Sequence, residues 1–169
     1  MNILIDQKQI QNRVKELGQK INEDFKNQEV HLLCVLRGGF IFCADLMREI
    51  TIPVEVSFVT LSSYGDSKES SGTVKLKSQI PEEIKGKNVI VVEDIVDTGL
   101  TLYVLLELLK NEFELKSCKL ASLLIKPSKV LHPVEVDYLG FSIDNHFVVG
   151  YGLDNAQKLR NLPYIGYFS

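Results

Sequence analysis

Residues 88–101 read NVIVVEDIVDTGLT, and this stretch decides the fold class. Its first part, residues 88–92, is almost wholly apolar, which is typical of a central parallel strand covered on both faces. Thr98-Gly99 then opens a predicted helix, whose apolar positions in helical spacing are Leu102, Leu105, Leu106 and Leu109. A buried strand that leads directly into a helix predicts an α/β fold with a mostly parallel sheet.

The segments on either side continue this alternation. Asp6 and Gln9 fit a capping box at the start of an amphipathic helix, whose apolar stripe is Ile10, Val14, Leu17, Ile21 and Phe25. Further strands are predicted at 30–36, 54–61, 73–76, 119–125, 137–141 and 147–149, and a further helix at 40–50. Because no repeat or low-complexity linker interrupts the pattern, we expect residues 1–169 to form a single domain.

Composition narrows the class of protein. The chain has 169 residues, 45% hydrophobic and 24% charged, the balance of a globular protein. No stretch approaches the roughly 20 apolar residues of a membrane span, and the first residues lack a signal-peptide pattern. We therefore expect a cytoplasmic protein with no membrane partner. The net charge of −3 leaves no electrostatic footprint for nucleic-acid binding.

The cysteines are Cys34, Cys43 and Cys118, an odd number without CxxC spacing. This pattern predicts reduced, buried thiols rather than a disulfide framework or a zinc site.

Carboxylates and hydroxyls gather where the central strand gives way to the helix; they belong to Glu93, Asp94, Asp97, Thr98 and Thr101. A helix N-terminus has free N–H groups and a positive dipole end, which favour an anion, and Gly99 allows close approach. Carboxylates at a strand end can accept hydrogen bonds from ribose hydroxyls and help hold a hydrated magnesium ion. The stretch therefore predicts a ribose-phosphate site.

A simpler interpretation is that Asp97 and Thr98 only cap the helix. Capping accounts for one of them, but not for three acids packed at the end of a buried strand. The nucleotide motifs GxxxxGK[ST] and GxGxxG do not occur in the sequence.

The segment from Glu93 to Gly99 resembles the phosphoribosyl-pyrophosphate signature of type I phosphoribosyltransferases, in the form of the hypoxanthine-guanine branch. The resemblance extends over nearly the whole chain, from Leu36-Arg37-Gly38-Gly39 to Leu162-Pro163-Tyr164-Ile165-Gly166. It implies a twisted, mostly parallel sheet flanked by helices, with a small hood formed by the terminal segments. It also implies magnesium-dependent conversion of hypoxanthine or guanine and 5-phosphoribosyl 1-pyrophosphate to IMP or GMP and pyrophosphate.

By this resemblance, Glu93 and Asp94 hold the ribose hydroxyls, partly through Mg²⁺, and the backbone from Asp97 through Leu100 to Thr101 cradles the 5′-phosphate. Asp97 resembles a general base near N7 of the purine. The reaction needs one, because the purine loses a proton as N9 attacks C1′. Since an aspartate is a weak base at neutral pH, we expect its contribution to be partly electrostatic.

The resemblance assigns the pyrophosphate group to Arg37, Gly38 and Gly39, with Arg160 as a second cation. Successive N–H groups and a guanidinium make a diphosphate cradle, although an ordinary strand-to-helix turn has a similar sequence. The family often has a cis peptide here, which we expect between Leu36 and Arg37.

The resemblance assigns the purine to Lys126, Phe147, Val148, Ile95 and Asp154. Lys126 would bond the 6-oxo group and so exclude adenine, Phe147 would stack on the ring, and Asp154 would bind a second magnesium ion. Without the resemblance, Lys126 would be taken for a solvated charge and Phe147 for plain core. The family often has tyrosine after this aspartate, where this chain has Asn155.

Residues 62–72 form a polar block that resembles the family's lid, with Ser63 and Tyr64 as its substrate-contacting pair. A lid protects an oxocarbenium-like centre from water. A disordered hairpin tip is the rival interpretation for residues 68–71.

Two other functions remain open at this point. One is a xanthine-preferring relative, since contacts to the purine 2-position cannot be read here. The other is a regulator that senses phosphoribosyl pyrophosphate and binds RNA or DNA, which the acidic balance disfavours. Family resemblance further suggests a homodimer or homotetramer.

Overall fold

The chain forms nine strands and three α-helices within the residues that the structure, a computed structural model, describes: 1–63 and 74–169. In chain order they are β1 (Asn2–Ile5), α1 (Gln7–Asp24), β2 (Val30–Leu36), α2 (Phe40–Glu49), β3 (Val54–Ser63), β4 (Val74–Leu76), β5 (Asn88–Val96), α3 (Leu100–Glu112), β6 (Ser117–Ile125), β7 (Tyr138–Ser142), β8 (Val148–Val149) and β9 (Ile165–Tyr167). Short 3-10 turns lie at Glu82–Ile84 and Pro127–Lys129.

The main sheet has the strand order β4-β3-β2-β5-β6-β7. Its neighbours run parallel, except that β4 pairs antiparallel with β3. The predicted central strand is confirmed, because Val89, Ile90, Val91 and Val92 have no exposed surface. The expected α/β fold with a mostly parallel sheet is therefore confirmed.

Helices cover both faces of this sheet. Ile90 and Val92 of β5 point into the core beneath α1 and α2, with Phe42 and Leu46. Val89 and Val91 point into a second core, where α3 contributes Leu102, Leu105 and Leu109. The alternation of β5 between two cores explains why its sequence is a continuous apolar run.

A second, antiparallel sheet joins the two ends of the chain in the order β1-β9-β8. Asn2 lies opposite Tyr167, and the buried Ile5 and Ile165 join the core beneath α1 and α2. This sheet is the expected hood of terminal segments. The individual strands β1 and β9 were not predicted.

Several predicted boundaries change. The central strand does not end at residue 92, since β5 continues to Val96 through the two acids. The polar block does not begin at residue 62, because β3 includes the backbone of Ser62 and Ser63. Tyr64 and the rest of the predicted lid up to residue 72 lie outside the described residues.

The thiols of all three cysteines are free. Cys34 and Cys43 are buried as predicted, whereas Cys118 is only half-buried because it lies near the start of β6. Among the helices that the structure describes, none is long and apolar enough to cross a membrane.

Candidate active site

The candidate site lies where the strand order of the main sheet reverses. From β2 the chain moves to β3 on one side and then returns to β5 on the other. In parallel α/β sheets, ligands bind outside the carboxyl ends of the strands at such a switch point. Here the two loops at that point are Arg37-Gly38-Gly39 after β2 and Asp97-Thr98-Gly99 after β5.

The two strands separate as they approach the site. Pairing of β2 with β5 ends at Cys34 and Val92, whereas β5 stays paired with β6 as far as Val96 and Ile125. The parting of the strands opens a cavity of about 740 Å³. Its wall includes many of the predicted residues: Arg37, Gly38, Glu93, Asp94, Ile95, Asp97, Thr98, Gly99, Thr101, Asp154 and Arg160.

Apart from the lid, five predicted residues are not part of that wall: Gly39, Leu100, Lys126, Phe147 and Val148. Gly39 ends the loop after β2, and Leu100 is the first residue of α3. Phe147 is 60% exposed, so the interpretation as plain core is wrong for it, while Val148 is buried in β8.

The two adjacent acids of β5 have different environments. Glu93 is buried and Asp94 is half-buried against the Cα of Gly38, where any side-chain carbon would collide with the Asp94 carboxylate. Burial, and next the negative charge of Asp94, raise the pKa of Glu93 well above its ordinary value of 4.5. The fold therefore disfavours the charged form of Glu93 while the two carboxyl groups lie side by side in the cavity wall.

The loop after β5 is built to expose backbone rather than to cap a helix. The residue before α3 is Gly99, with φ at +85°, and it has no side chain to cap the helix. Thr98 Oγ1 accepts a long hydrogen bond, 3.4 Å, from the amide of Leu100, whereas Asp97 accepts none among the described residues. Capping by Asp97 is therefore wrong, capping by Thr98 is limited to this one contact, and the other N–H groups at the start of α3 remain available to an anion.

A neighbouring segment holds this loop in place. The carbonyl of Thr98 accepts hydrogen bonds from the amides of Leu131 and His132, at 2.9 and 3.0 Å. A side chain at position 99 would collide with the His132 carbonyl, so glycine is required by both space and conformation.

Asp97 lies beside two lysines. Its Oδ2 is 3.8 Å from Lys126 Nζ, and its Oδ1 is 3.4 Å from Lys129 Nζ. Oδ1 is shielded from solvent and has no hydrogen-bond partner among the described residues. Because the side chain of Lys126 is only 8% exposed, the interpretation of Lys126 as a solvated charge is wrong. Each oxygen of the Asp97 carboxylate thus has one lysine as its charged neighbour.

The loop after β8 brings a second guanidinium to the cavity. Arg160 donates to the carbonyl of Gly152 at 2.7 Å and lies 3.1 Å from Asp154 Oδ1. Gly152, with φ at +99°, packs so closely on the carbonyl of Gly38 that a side chain would collide with it. The Asp154 loop and the Arg37 loop are therefore docked on each other.

The expected cis peptide between Leu36 and Arg37 is present. Sequence reasoning missed three polar residues of the cavity wall, Thr60, Lys77 and Gln157. Lys77 follows the short strand β4, which gave no ligand signal, and Gln157 accepts hydrogen bonds from two arginines.

None of the three histidines belongs to the cavity wall as described. His31 is buried between Ser57 Oγ at 2.6 Å and Glu55 Oε2 at 3.1 Å, and His146 stacks on Tyr167 with ring centroids 4.4 Å apart. These contacts indicate structural roles.

The cavity wall combines adjacent carboxylates, the start of a helix and two arginines, groups that can bind a phosphorylated ligand. Comparison with known proteins gives the family. A family model described as the phosphoribosyl transferase domain matches residues 3–156. The chain belongs to the phosphoribosyltransferase family. This phosphoribosyltransferase is accordingly an enzyme that transfers a pentosyl group.

Its relatives cover almost the full chain. It is 45% identical over 168 residues to the hypoxanthine phosphoribosyltransferase of Salmonella typhimurium, covering 98% of this chain and 94% of that protein. It is 42% identical over 164 residues to the hypoxanthine-guanine phosphoribosyltransferase of Bacillus subtilis, covering 97% and 91%. A crystal structure of the hypoxanthine-guanine phosphoribosyltransferase of Bacillus anthracis matches with a TM-score of 0.94 and 44% identity, covering 100% and 99%.

Proposed function

We propose that this phosphoribosyltransferase is a purine salvage enzyme that uses hypoxanthine and guanine. It joins N9 of the purine to C1′ of 5-phosphoribosyl 1-pyrophosphate and releases pyrophosphate, giving IMP or GMP. The relatives with these names, similar over nearly the whole chain, support the proposal.

One structural observation carries the choice of a 6-oxopurine. The buried Lys126 lies 3.8 Å from Asp97, so an ammonium donor and a carboxylate acceptor stand side by side, where the proposal places the purine. A 6-oxopurine offers an acceptor at O6 and a proton at N7, which complement these two groups. Adenine carries a 6-amino donor, which would face the ammonium and leave it unpaired.

In this proposal, the carboxyl end of β5 and the start of α3 bind the ribose 5-phosphate. The N–H groups at the start of α3 and the hydroxyls of Thr98 and Thr101 would donate to the 5′-phosphate. Glu93 and Asp94 would accept from the ribose hydroxyls. Arg37 and Arg160, at the other wall, would stabilise the negative charge that grows on the departing pyrophosphate.

The chemical step then breaks the C1′–O bond and forms the C1′–N9 bond. The bonding electron pair leaves with pyrophosphate, and the lone pair of N9 forms the new bond to C1′. The purine loses its N7 proton to the carboxylate of Asp97, which is 42% exposed and lies in the cavity wall.

The donor set fits magnesium bound together with the substrate. Described residues contain no cluster of three or more metal-ligating side chains, but magnesium commonly uses one or two carboxylates plus substrate oxygens. Glu93 and Asp94 supply hard oxygen ligands side by side, and Asp154 keeps free lone pairs beside Arg160. When bound, the ion would neutralise charge on the pyrophosphate.

A spectrophotometric assay with phosphoribosyl pyrophosphate, magnesium and each of hypoxanthine, guanine, xanthine and adenine tests the proposal. We expect turnover with hypoxanthine and guanine and none with adenine. Turnover with xanthine alone would show that the enzyme prefers xanthine and would refute the proposed use of hypoxanthine and guanine. No turnover with any base, together with nanomolar RNA binding, would refute the enzyme proposal in favour of a regulator.

Two further expectations are kept as proposals. A homodimer or homotetramer is expected, and size-exclusion chromatography with light scattering would measure it. The three free thiols suit the reducing cytoplasm, which cell fractionation would test.

A further inference from the structure

We propose that Gln157 is a positioning residue that holds Arg37 and Arg160 together as one pyrophosphate-binding unit. The inference rests on the proposed function and deepens its pyrophosphate side. It assigns a task to a residue that gave no signal in the sequence.

The carbonyl oxygen of the Gln157 side chain accepts one hydrogen bond from each arginine. Arg37 Nη1 and Arg160 Nη2 both lie 3.0 Å from Gln157 Oε1. A guanidinium has donors only, so the amide must turn its oxygen toward the two cations. Two residues far apart in the sequence, 37 and 160, therefore meet at one atom on the cavity wall.

The backbone around Gln157 is arranged to present this side chain. Asn155 and Lys158 exchange two backbone hydrogen bonds of 3.0 Å, which close a tight two-residue hairpin over Ala156 and Gln157. Both turn residues are left-handed, with φ of +50° and +67°. Glycine or asparagine adopts this turn at lower cost, so the presence of glutamine points to a use for its side chain.

A further contact fixes the turn relative to the cavity. The amide nitrogen of Gln157 donates to Asp154 Oδ2 at 2.7 Å, while the other oxygen of that carboxylate lies 3.1 Å from Arg160. The same aspartate thus anchors the turn and one of the two arginines.

The bridge that Gln157 forms between Arg37 and Arg160 depends on the neutral charge of the amide as well as on its geometry. Two guanidinium groups at one atom repel each other and would separate without an acceptor between them. A neutral amide supplies that acceptor and adds no negative charge that would oppose a pyrophosphate group. Because Arg37 and Gln157 are exposed at the cavity mouth, the bridge contributes little to folding stability, and its effect is on the position of the arginines.

The test compares two variants of nearly the same size. Gln157→Met removes the acceptor and keeps the length of the side chain, whereas Gln157→Glu keeps an acceptor oxygen. We expect Gln157→Met to raise the KM for phosphoribosyl pyrophosphate and the inhibition constant of pyrophosphate about tenfold. The KM for hypoxanthine, the Kd for IMP and the Tm should stay at their wild-type values, and Gln157→Glu should restore binding of both diphosphates only in part, because it keeps the acceptor oxygen but adds a negative charge.

Ala156→Gly serves as the control for the turn itself. It relieves the left-handed residue next to Gln157 and leaves the bridge intact, so the kinetics should not change and the Tm should be equal or higher.

Three results would overturn the inference: wild-type pyrophosphate binding in Gln157→Met, no rescue by Gln157→Glu, or an equal loss of IMP binding, which would indicate general collapse of the loop. Direct calorimetry with magnesium pyrophosphate separates this inference from the proposed function. A wild-type protein without turnover would refute the function, while a loss of pyrophosphate binding in Gln157→Met would still support the bridge.

Discussion

Glu93 is a carboxyl group that the fold holds in an unfavourable environment. Because burial and the charge of Asp94 raise its pKa in the folded state, its charged form is disfavoured there. Below its ordinary pKa of 4.5, Glu93 is protonated in both the folded and the unfolded state and does not affect stability. As the pH rises from 4.5 toward the raised pKa of the folded state, the group ionises only in the unfolded state, so the free energy of unfolding falls.

We predict that Glu93→Gln stabilises the magnesium-free protein at neutral pH while it lowers activity. A gain of about 1 kcal/mol corresponds to roughly 2–4 °C in a chain of this size. The Tm difference from wild type should grow as the pH rises above 4.5 and vanish below it. Scanning calorimetry in EDTA from pH 4 to pH 8 measures this.

Glu135→Gln, at an exposed position, is the matched control and should change the Tm little across the same range. A constant Tm difference at every pH in Glu93→Gln would contradict the assignment of the effect to a buried charge.

For Asp97, we predict that Asp97→Asn lowers kcat by at least roughly 10²-fold, the usual loss for a proton acceptor. It should not weaken binding of phosphoribosyl pyrophosphate, because it removes a negative charge beside Lys126 and Lys129 near the phosphate loop. Steady-state kinetics together with the Kd of phosphoribosyl pyrophosphate separate the two effects. Equal losses in both quantities would mean that Asp97 acts mainly on substrate binding.

At the scale of elements, α1 depends on the capping box that the sequence predicted. Asp6 Oδ1 accepts from the Gln9 amide at 2.8 Å, and Gln9 Oε1 accepts from the Asp6 amide at 2.9 Å. We predict that Asp6→Ala lowers the free energy of unfolding by about 1 kcal/mol, whereas Asp6→Asn, which keeps the accepting oxygen, has little effect. Urea denaturation of the two variants tests this, and equal losses would show that the charge of Asp6 matters more than its hydrogen bond.

Elements with a local signal were predictable, and elements defined by distant partners were not. The apolar run of β5 and the apolar stripe of α1 could be predicted, because the pattern of buried side chains is contained in each segment's own sequence. β1 and β9, at opposite ends of the chain, are strands because they pair with each other. β5 continues through Glu93 and Ile95 because β6 extends the hydrogen-bonded ladder, which no local pattern reveals.

The residues of the candidate site likewise include some that the sequence predicted and others that it did not. Its acids, phosphate loop and Arg37 could be predicted from short motifs, and the cavity brings most of them together. Gln157 could not be predicted, because its importance depends on a left-handed turn that aims it between two arginines. The roles of Ser63 and Tyr64 in a lid remain a prediction.

At the scale of the whole molecule, the hood and the main sheet share one core. Ile5, Val148 and Ile165 of the terminal strands pack in the same cluster as Ile90 and Val92. We therefore propose that residues 1–169 form a single cooperative unit, as expected from the sequence.

The chain has no tryptophan, so single reporters can be introduced. We predict that Phe168→Trp in the hood and Phe113→Trp beside the α3 core report the same unfolding transition. In each variant, the urea midpoint from tryptophan fluorescence should equal the midpoint from circular dichroism. An earlier transition at Phe168→Trp alone would mean that the hood unfolds separately.

The pairing of β2 with β5 brings Leu32 opposite Ile90, two segments far apart along the chain. A refolding chain must close that long loop before Arg37, after β2, and Glu93 and Asp94, in β5, can line the same cavity. Helices can regain their structure locally and much sooner. After dilution from denaturant, the rate at which product formation recovers would therefore report the rate at which the non-local sheet assembles, later than the return of helical structure.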